Sequence, residues 1–198
     1  MTALSACAVL AVLELDAVLI AQTLLSRPLI VGSVIGTVTG KAQAGALFGA
    51  VFELLGLCDL PVGGALAWSA TVAAGTATVL VSGGTSFSLS FVGGIVAGVL
   101  HSCAEAFERK RRATTGDELA RRAEAGGWAL GNAMGLSIAV HAAMTFVVAG
   151  VVVALFGFIE SSWWPSAPKF LIGGVQLVSS SAPWIGLSGI VAWGMRRA

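Results

Sequence analysis

The chain has 198 residues and a formal net charge of +1, with 57% hydrophobic and only 11% charged residues. A soluble domain carries roughly 25% charged residues, and eleven of this chain's 21 Asp, Glu, Lys and Arg residues fall between Glu105 and Glu124. The rest cannot clothe a surface facing water but can face lipid, and the near-zero net charge excludes a nucleic-acid partner. The composition is that of an integral membrane protein.

Cys7, Cys58 and Cys103 are far apart in apolar stretches, with no CxxC or zinc spacing, so they are expected to be small buried hydrophobes. The start Met1-Thr2-Ala3 lacks the basic region of a secretory signal, so the first apolar stretch is expected to belong to the fold. No cofactor or metal is implied.

A bilayer core needs about 20 helical residues to cross it. Ala3 to Leu25 is long enough, although Glu14 and Asp16 interrupt it. Pro28 to Gly40 is only 13 residues and cannot cross alone; followed by Lys41 and by Ala42 to Leu60, it predicts a re-entrant or broken-helix hairpin near residues 28–60. A short helix packed inside the bundle is the alternative. Pro61 to Val81 and Phe87 to Phe107 are further apolar stretches. Trp128 to Ile159 contains no acidic or basic side chain, and suits one long tilted helix or a broken one. Phe170 to Met195 is similarly uncharged but includes Ser179-Ser180-Ser181 and Pro183. The fold class is therefore all-α, a polytopic membrane bundle forming a single domain over 1–198.

The charged segment, 105–127, reads as an amphipathic helix, with Thr115 and Glu118 at capping-box spacing. Its basic residues and Arg196-Arg197 are two crossings apart, which predicts that both this segment and the C-terminus are cytoplasmic. The segment is expected to be a solvated face, or a docking surface for a soluble partner or anionic lipid. Trp163 and Trp164 are expected at the opposite interface.

Gly32, Gly36 and Gly40 recur every four residues, as do Gly45/Gly49, Gly94/Gly98 and Gly131/Gly135. Small residues at this spacing let helix backbones approach closely. A charge within lipid costs roughly 2.5–3.5 kcal/mol or more, which singles out Asp16, Gln22, Arg27, Glu53 and Asp59, with His101 and His141 as weaker candidates. Asp16 and Arg27 flank a break and could sit at an interface. Glu53, with uncharged neighbours on both sides, should face a polar cavity or a partner. Each histidine reads as a hydrogen-bonded packing residue. HExxH, GxSxG and phosphate-loop motifs are missing, so an enzyme active site is not supported.

The run Gln22-Thr-Leu-Leu-Ser-Arg-Pro-Leu-Ile-Val-Gly, the glycine series to Gly49, Phe52-Glu53-Leu54-Leu55 and Leu60-Pro61-Val62-Gly63-Gly64-Ala65 resemble one family. It is the membrane subunit IIC of the mannose/fructose/sorbose family of the bacterial sugar phosphotransferase system. The resemblance is close from Asp16 to about Ala77 and looser from Phe87 onward. It implies a permease subunit of the bacterial inner membrane that binds a hexose with subunit IID, in a higher-order oligomer, while separate IIA and IIB domains supply the phosphoryl group. By position it puts Gln22, Arg27, Glu53, Gly63, Gly64 and Ser69 near the sugar. The chain departs from the family pattern at Lys41 and at Trp68-Ser69-Ala70, where a carboxylate is usual, and it stops soon after the Phe170–Met195 stretch. These departures keep open a second expectation, a transport-inactive IIC-like scaffold or sensor.

Overall fold

The computed structural model describes residues 2–18, 23–57, 68–124 and 129–195. Seven α-helices occur among them: α1 (Ala3–Val18), α2 (Pro28–Val38), α3 (Ala42–Gly56), α4 (Ala70–Ser82), α5 (Phe87–Glu124), α6 (Ala129–Ser162) and α7 (Lys169–Met195). A 3-10 turn, Trp164–Ser166, joins α6 to α7, and no strand occurs among the described residues. The helices α5, α6 and α7 contain segments long and apolar enough to cross a membrane, Phe87–Thr114, Gly131–Ser162 and Lys169–Ala192. By contrast α2, α3 and α4 have 11, 15 and 13 residues, and at about 1.5 Å per residue none spans the roughly 30 Å of a hydrocarbon core.

The expected hairpin is α2–α3. Pro28 sets the first turn of α2 without sacrificing a needed N–H. At the other end Thr39-Gly40-Lys41 reverses the chain, and Gly40, at φ +76°, holds a conformation that a side chain disfavours. The two helices touch backbone to backbone. A Cβ on Gly45 would stand 2.8 Å from the Gly36 Cα, and one on Gly49 would stand 2.7 Å from both the Leu29 Cα and the Pro28 carbonyl oxygen. The glycine series is therefore a seam inside one hairpin.

The same device sets α5 on α4. A Cβ on Gly94 would meet the Ala73 carbonyl oxygen at 2.6 Å, and one on Gly98 the Ser69 carbonyl oxygen at 2.7 Å. Gly131 and Gly135 differ: among the described residues nothing lies within 4 Å of a Cβ at either, so the spacing there marks no packing contact with them. Between hairpin and α5 the core is aromatic, with Phe48 stacked on Phe87 at 4.3 Å and Phe52 on Phe91 at 5.1 Å between ring centroids. Buried Val31 and Ile35 of α2 pack with Ala6, Cys7 and Leu10 of α1 and with Val79 of α4. Ala182 of α7 joins the aromatic core, and a Cβ on Gly186 would lie 2.8 Å from the Leu54 Cβ.

Several boundaries differ from the sequence expectations. The Ala3–Leu25 stretch is not one helix: α1 is described to Val18, and Thr23–Ser26 is non-helical. No helix begins at Thr115, because α5 runs unbroken for 38 residues through the charged segment and needs no cap there. Of the two readings of the Trp128–Ile159 stretch, the single long helix is the one found, as α6 over Ala129–Ser162, and α7 passes through Pro183 as a single helix. Trp163 is exposed, as an interfacial residue would be, whereas Trp164 is buried against Leu80, Leu89 and Val152. Cys7 is buried as expected, Cys103 is exposed on α5, and Cys58 lies outside the described residues.

At the end of the bundle opposite the charged segment of α5, Glu160 of α6 accepts hydrogen bonds from the Ser86 backbone N–H at 3.0 Å and the Ser86 hydroxyl at 2.8 Å. The carboxylate supplies an acceptor to the start of α5, where the helix dipole favours it. Glu160→Ala is expected to lower stability by about 1–2 kcal/mol, read as a lower unfolding temperature in detergent.

Candidate functional site

The hairpin and its neighbours bring four short-helix ends to one level of the bundle: the last turn of α1, the start of α2, the end of α3 and the start of α4. Asp16, Arg27, Glu53 and Ser69 lie there. Asp16, near the end of α1, accepts from the Thr23 N–H at 3.0 Å, the Thr23 hydroxyl at 2.9 Å and the Ser26 N–H at 3.4 Å. It thereby closes the Thr23–Ser26 turn, in which Leu24 takes φ +72° and the Arg27 N–H donates to the Leu24 carbonyl at 3.0 Å. The Thr71 hydroxyl of α4 donates to the Ser26 carbonyl, tying the turn to the next helix.

This turn presents Arg27 as the residue before α2. Its Nη1 donates to Glu53 Oε1 at 2.8 Å, and the Leu29 N–H approaches Glu53 Oε2 at 3.4 Å. Glu53, from the last turns of α3, thus sets a negative charge at the start of α2, where the free N–H groups and the dipole welcome it. Neither partner is sealed in: the side chains are 49% and 20% exposed for Arg27 and Glu53. Both side chains are partly exposed, and among the described residues guanidinium N–H donors and carboxylate lone pairs are left over.

Ser69 caps α4. Its Oγ accepts from the Val72 N–H at 3.2 Å and donates to Oε1 of the buried Glu14 at 3.0 Å, while its own N–H donates to the Ser102 hydroxyl of α5 at 2.8 Å. One serine therefore joins three helices. Ser69→Ala removes the cap and the hydroxyl partner of a buried carboxylate, so a loss of about 2 kcal/mol or more is expected, measured by thermal or denaturant unfolding.

Of the residues singled out from the sequence, Arg27 and Glu53 are in direct contact, and Ser69 and Asp16 share their level through Ser26 and Thr71. Gln22, Gly63, Gly64 and Asp59 lie outside the described residues. Lys41 is at the hairpin turn, an α2 length from this layer. Glu53 does have the partner its position demanded, but it is the neighbouring Arg27.

The histidines are not two separate packing residues. His101 Nε2 lies 2.9 Å from the Thr145 hydroxyl, and His141 Nδ1 lies 3.0 Å from Glu108 Oε2. The two rings stand edge to face, 5.5 Å apart between centroids. Glu108 is also paired with Arg112, and Glu105 with Arg109 at 2.6 Å. The signal was in the spacing: His101, Glu105, Glu108 and Arg112 follow i, i+4, i+7 and i+11 on one face of α5, and His141 and Thr145 follow i, i+4 on α6. Among the described residues no group of three His, Cys, Asp or Glu side chains could hold a metal ion.

The family model described as "PTS system sorbose-specific iic component", EII-Sor, matches residues 1–193. The chain belongs to that family. As a IIC component of the phosphotransferase system it is the membrane part of a permease, a role that fits its all-helical, lipid-suited architecture. The IIC chain is also similar to a solved structure titled "Structure of membrane protein", with a TM-score of 0.78 and 20% sequence identity over 99% of this chain and 80% of that one, which shows a shared fold. No curated protein matches this IIC chain.

Proposed function

We propose that this IIC chain binds a hexose of the mannose/fructose/sorbose class at the layer of short-helix ends and moves it inward. Separate IIA and IIB subunits would phosphorylate it, with IID as the membrane partner. The observation that carries the reading is the Arg27–Glu53 pair, half open at the end of a glycine-seamed hairpin. A sugar hydroxyl both donates and accepts. Among the described residues Arg27 offers unused donors, and Glu53 Oε2 has only a long bond to the Leu29 N–H. Broken-helix ends at mid-depth are a recurrent way to present such groups within lipid. Gln22, Gly63 and Gly64 join the proposed sugar contacts on the family resemblance alone. Ser69 joins them as the residue whose hydroxyl links Glu14 to this layer.

Transport would proceed by alternating access, the stiff hairpin moving as a unit against α5–α7. The basic segment of α5 and the C-terminus would face the cytoplasm of a bacterial inner membrane, where the soluble subunits act, and the assembly would be a higher-order oligomer. Proteoliposomes containing this chain with IID, and supplied with IIA and IIB, are expected to accumulate phosphorylated hexose. Absence of uptake for every hexose, with all subunits folded, would overturn the reading and favour the transport-inactive scaffold or sensor.

A further inference from the structure

The outer side of α5 changes character within one turn. Val99, Leu100, Cys103, Phe107, Lys110 and Arg111 are all exposed. At about 100° per residue they share one band, about 120° wide, along the helix. His101, Glu105 and Glu108 lie buried on the other side. The first four residues of the band are apolar and the last two are cations. The step comes at Phe107, which is about 30 Å along the helix from Phe87, the thickness of a hydrocarbon core. An unbroken charged run, Glu108 to Arg112, follows it. The apolar part of the band therefore ends where acyl chains end, and Lys110 lies about 5 Å further on, at the depth of the headgroups.

The charges at this junction are sorted by side. Between positions 105 and 112 the chain has four basic and two acidic residues, a surplus of two positive charges. Both carboxylates are turned inward and occupied. Glu105 is paired with Arg109 at 2.6 Å, and Glu108 with Arg112 and with His141. Neither is left to neutralise the outer side, and among the described residues Lys110 makes no ion pair. A phosphate at the membrane surface has the complementary charge. An acidic protein segment would match the lysine too, but it would stop at the surface and leave Val99, Leu100 and Phe107 uncovered below it. A lipid covers both parts at once, with its headgroup above and its chain beneath.

We propose that this band of α5 binds an anionic phospholipid, with the phosphate on Lys110, Arg111 beside it, and an acyl chain along Val99, Leu100 and Phe107. The contact fixes the depth at which α5 leaves the bilayer, because sliding the helix either way takes Lys110 from the phosphate or Phe107 from the chain. This inference does not depend on the sugar-binding reading.

The test reads the lipid beside the band. The full chain with Cys7→Ala and Cys58→Ala carries one uncharged fluorophore at Cys103, about 10 Å along the helix from Lys110. It is placed in nanodiscs of equal parts phosphatidylglycerol and phosphatidylcholine, with bromine on the acyl chains of one lipid or of the other, since bromine quenches only a fluorophore it touches. Brominated phosphatidylglycerol should quench more, reporting an enrichment of about fivefold or more beside the probe, the effect of one basic residue at an anionic surface. Lys110→Gln should lower the enrichment about fivefold. Lys110→Arg should keep it, and so should Lys169→Gln, at the end of the bundle opposite the charged segment. Salt at about 0.5 M should weaken it. Equal quenching by the two lipids in the chain with native Lys110 overturns the proposal, even if a variant fails to fold. So does a Lys110→Gln variant with undiminished enrichment. Lys110-dependent capture of polyglutamate by nanodiscs of phosphatidylcholine alone, with no lipid enrichment in the mixed ones, also overturns it and makes the band a docking surface for an acidic protein segment.

Discussion

Gly45→Val is expected to abolish the folded hairpin. Overfilling a core usually costs about 1–3 kcal/mol because side chains can yield. At Gly45 the obstacles are the Gly36 Cα, 2.8 Å from the position of a Cβ, and the Gly32 carbonyl, and neither can swing aside. Relieving the clash means parting α2 from α3, which moves Arg27 from Glu53 and uncovers Phe48 and Phe52. The cost should exceed about 3 kcal/mol, a large share of the stability of any domain. It would be read as loss of a monodisperse, cooperatively unfolding species in detergent. Gly135→Ala is the control. Among the described residues nothing lies within 4 Å of its new methyl group, and exchanging glycine for alanine inside a helix is worth up to about 1 kcal/mol, so its unfolding temperature should stay or rise. Equal behaviour of the two variants would mean that the glycine seam does not hold the hairpin.

Glu53→Gln is expected to separate binding from folding. The amide keeps the shape and an acceptor oxygen for Arg27. The ion pair is partly exposed, and such pairs contribute at most about 1 kcal/mol to stability. Unfolding should therefore change little. A hydrogen bond from a sugar hydroxyl to a charged carboxylate is another matter, worth about 1.5–3 kcal/mol, or roughly a 10- to 150-fold difference in affinity. Isothermal titration of the assembled membrane subunits with hexoses should show that loss, and phosphorylation-coupled uptake should fall with it. Unchanged affinity would remove Glu53 from the sugar site.

The hairpin was legible in the sequence because it rests on two local rules, a segment too short to cross and glycines at a fixed period, and both hold in Pro28–Gly56. The partner of Glu53 was not legible. Arg27 is 26 positions away and meets it only because the seam fixes how far the two helices overlap. The α5 boundary was missed for a different reason. Thr115 and Glu118 have capping-box spacing, but a cap forms only where a helix begins, and the preceding turns from Phe87 already continue through them. The histidine pair was missed because each span contains a single histidine, and nothing local to α5 or α6 states that the two spans cross at that depth.

The continuity of α5 has a mechanical consequence. Its 38 residues make a rod about 57 Å long, and on one face of it Gly98 lies against the Ser69 carbonyl. A push on its arginine-rich tip by a soluble protein would be delivered, as by a lever, to the cap of α4 and to Glu14 beyond it.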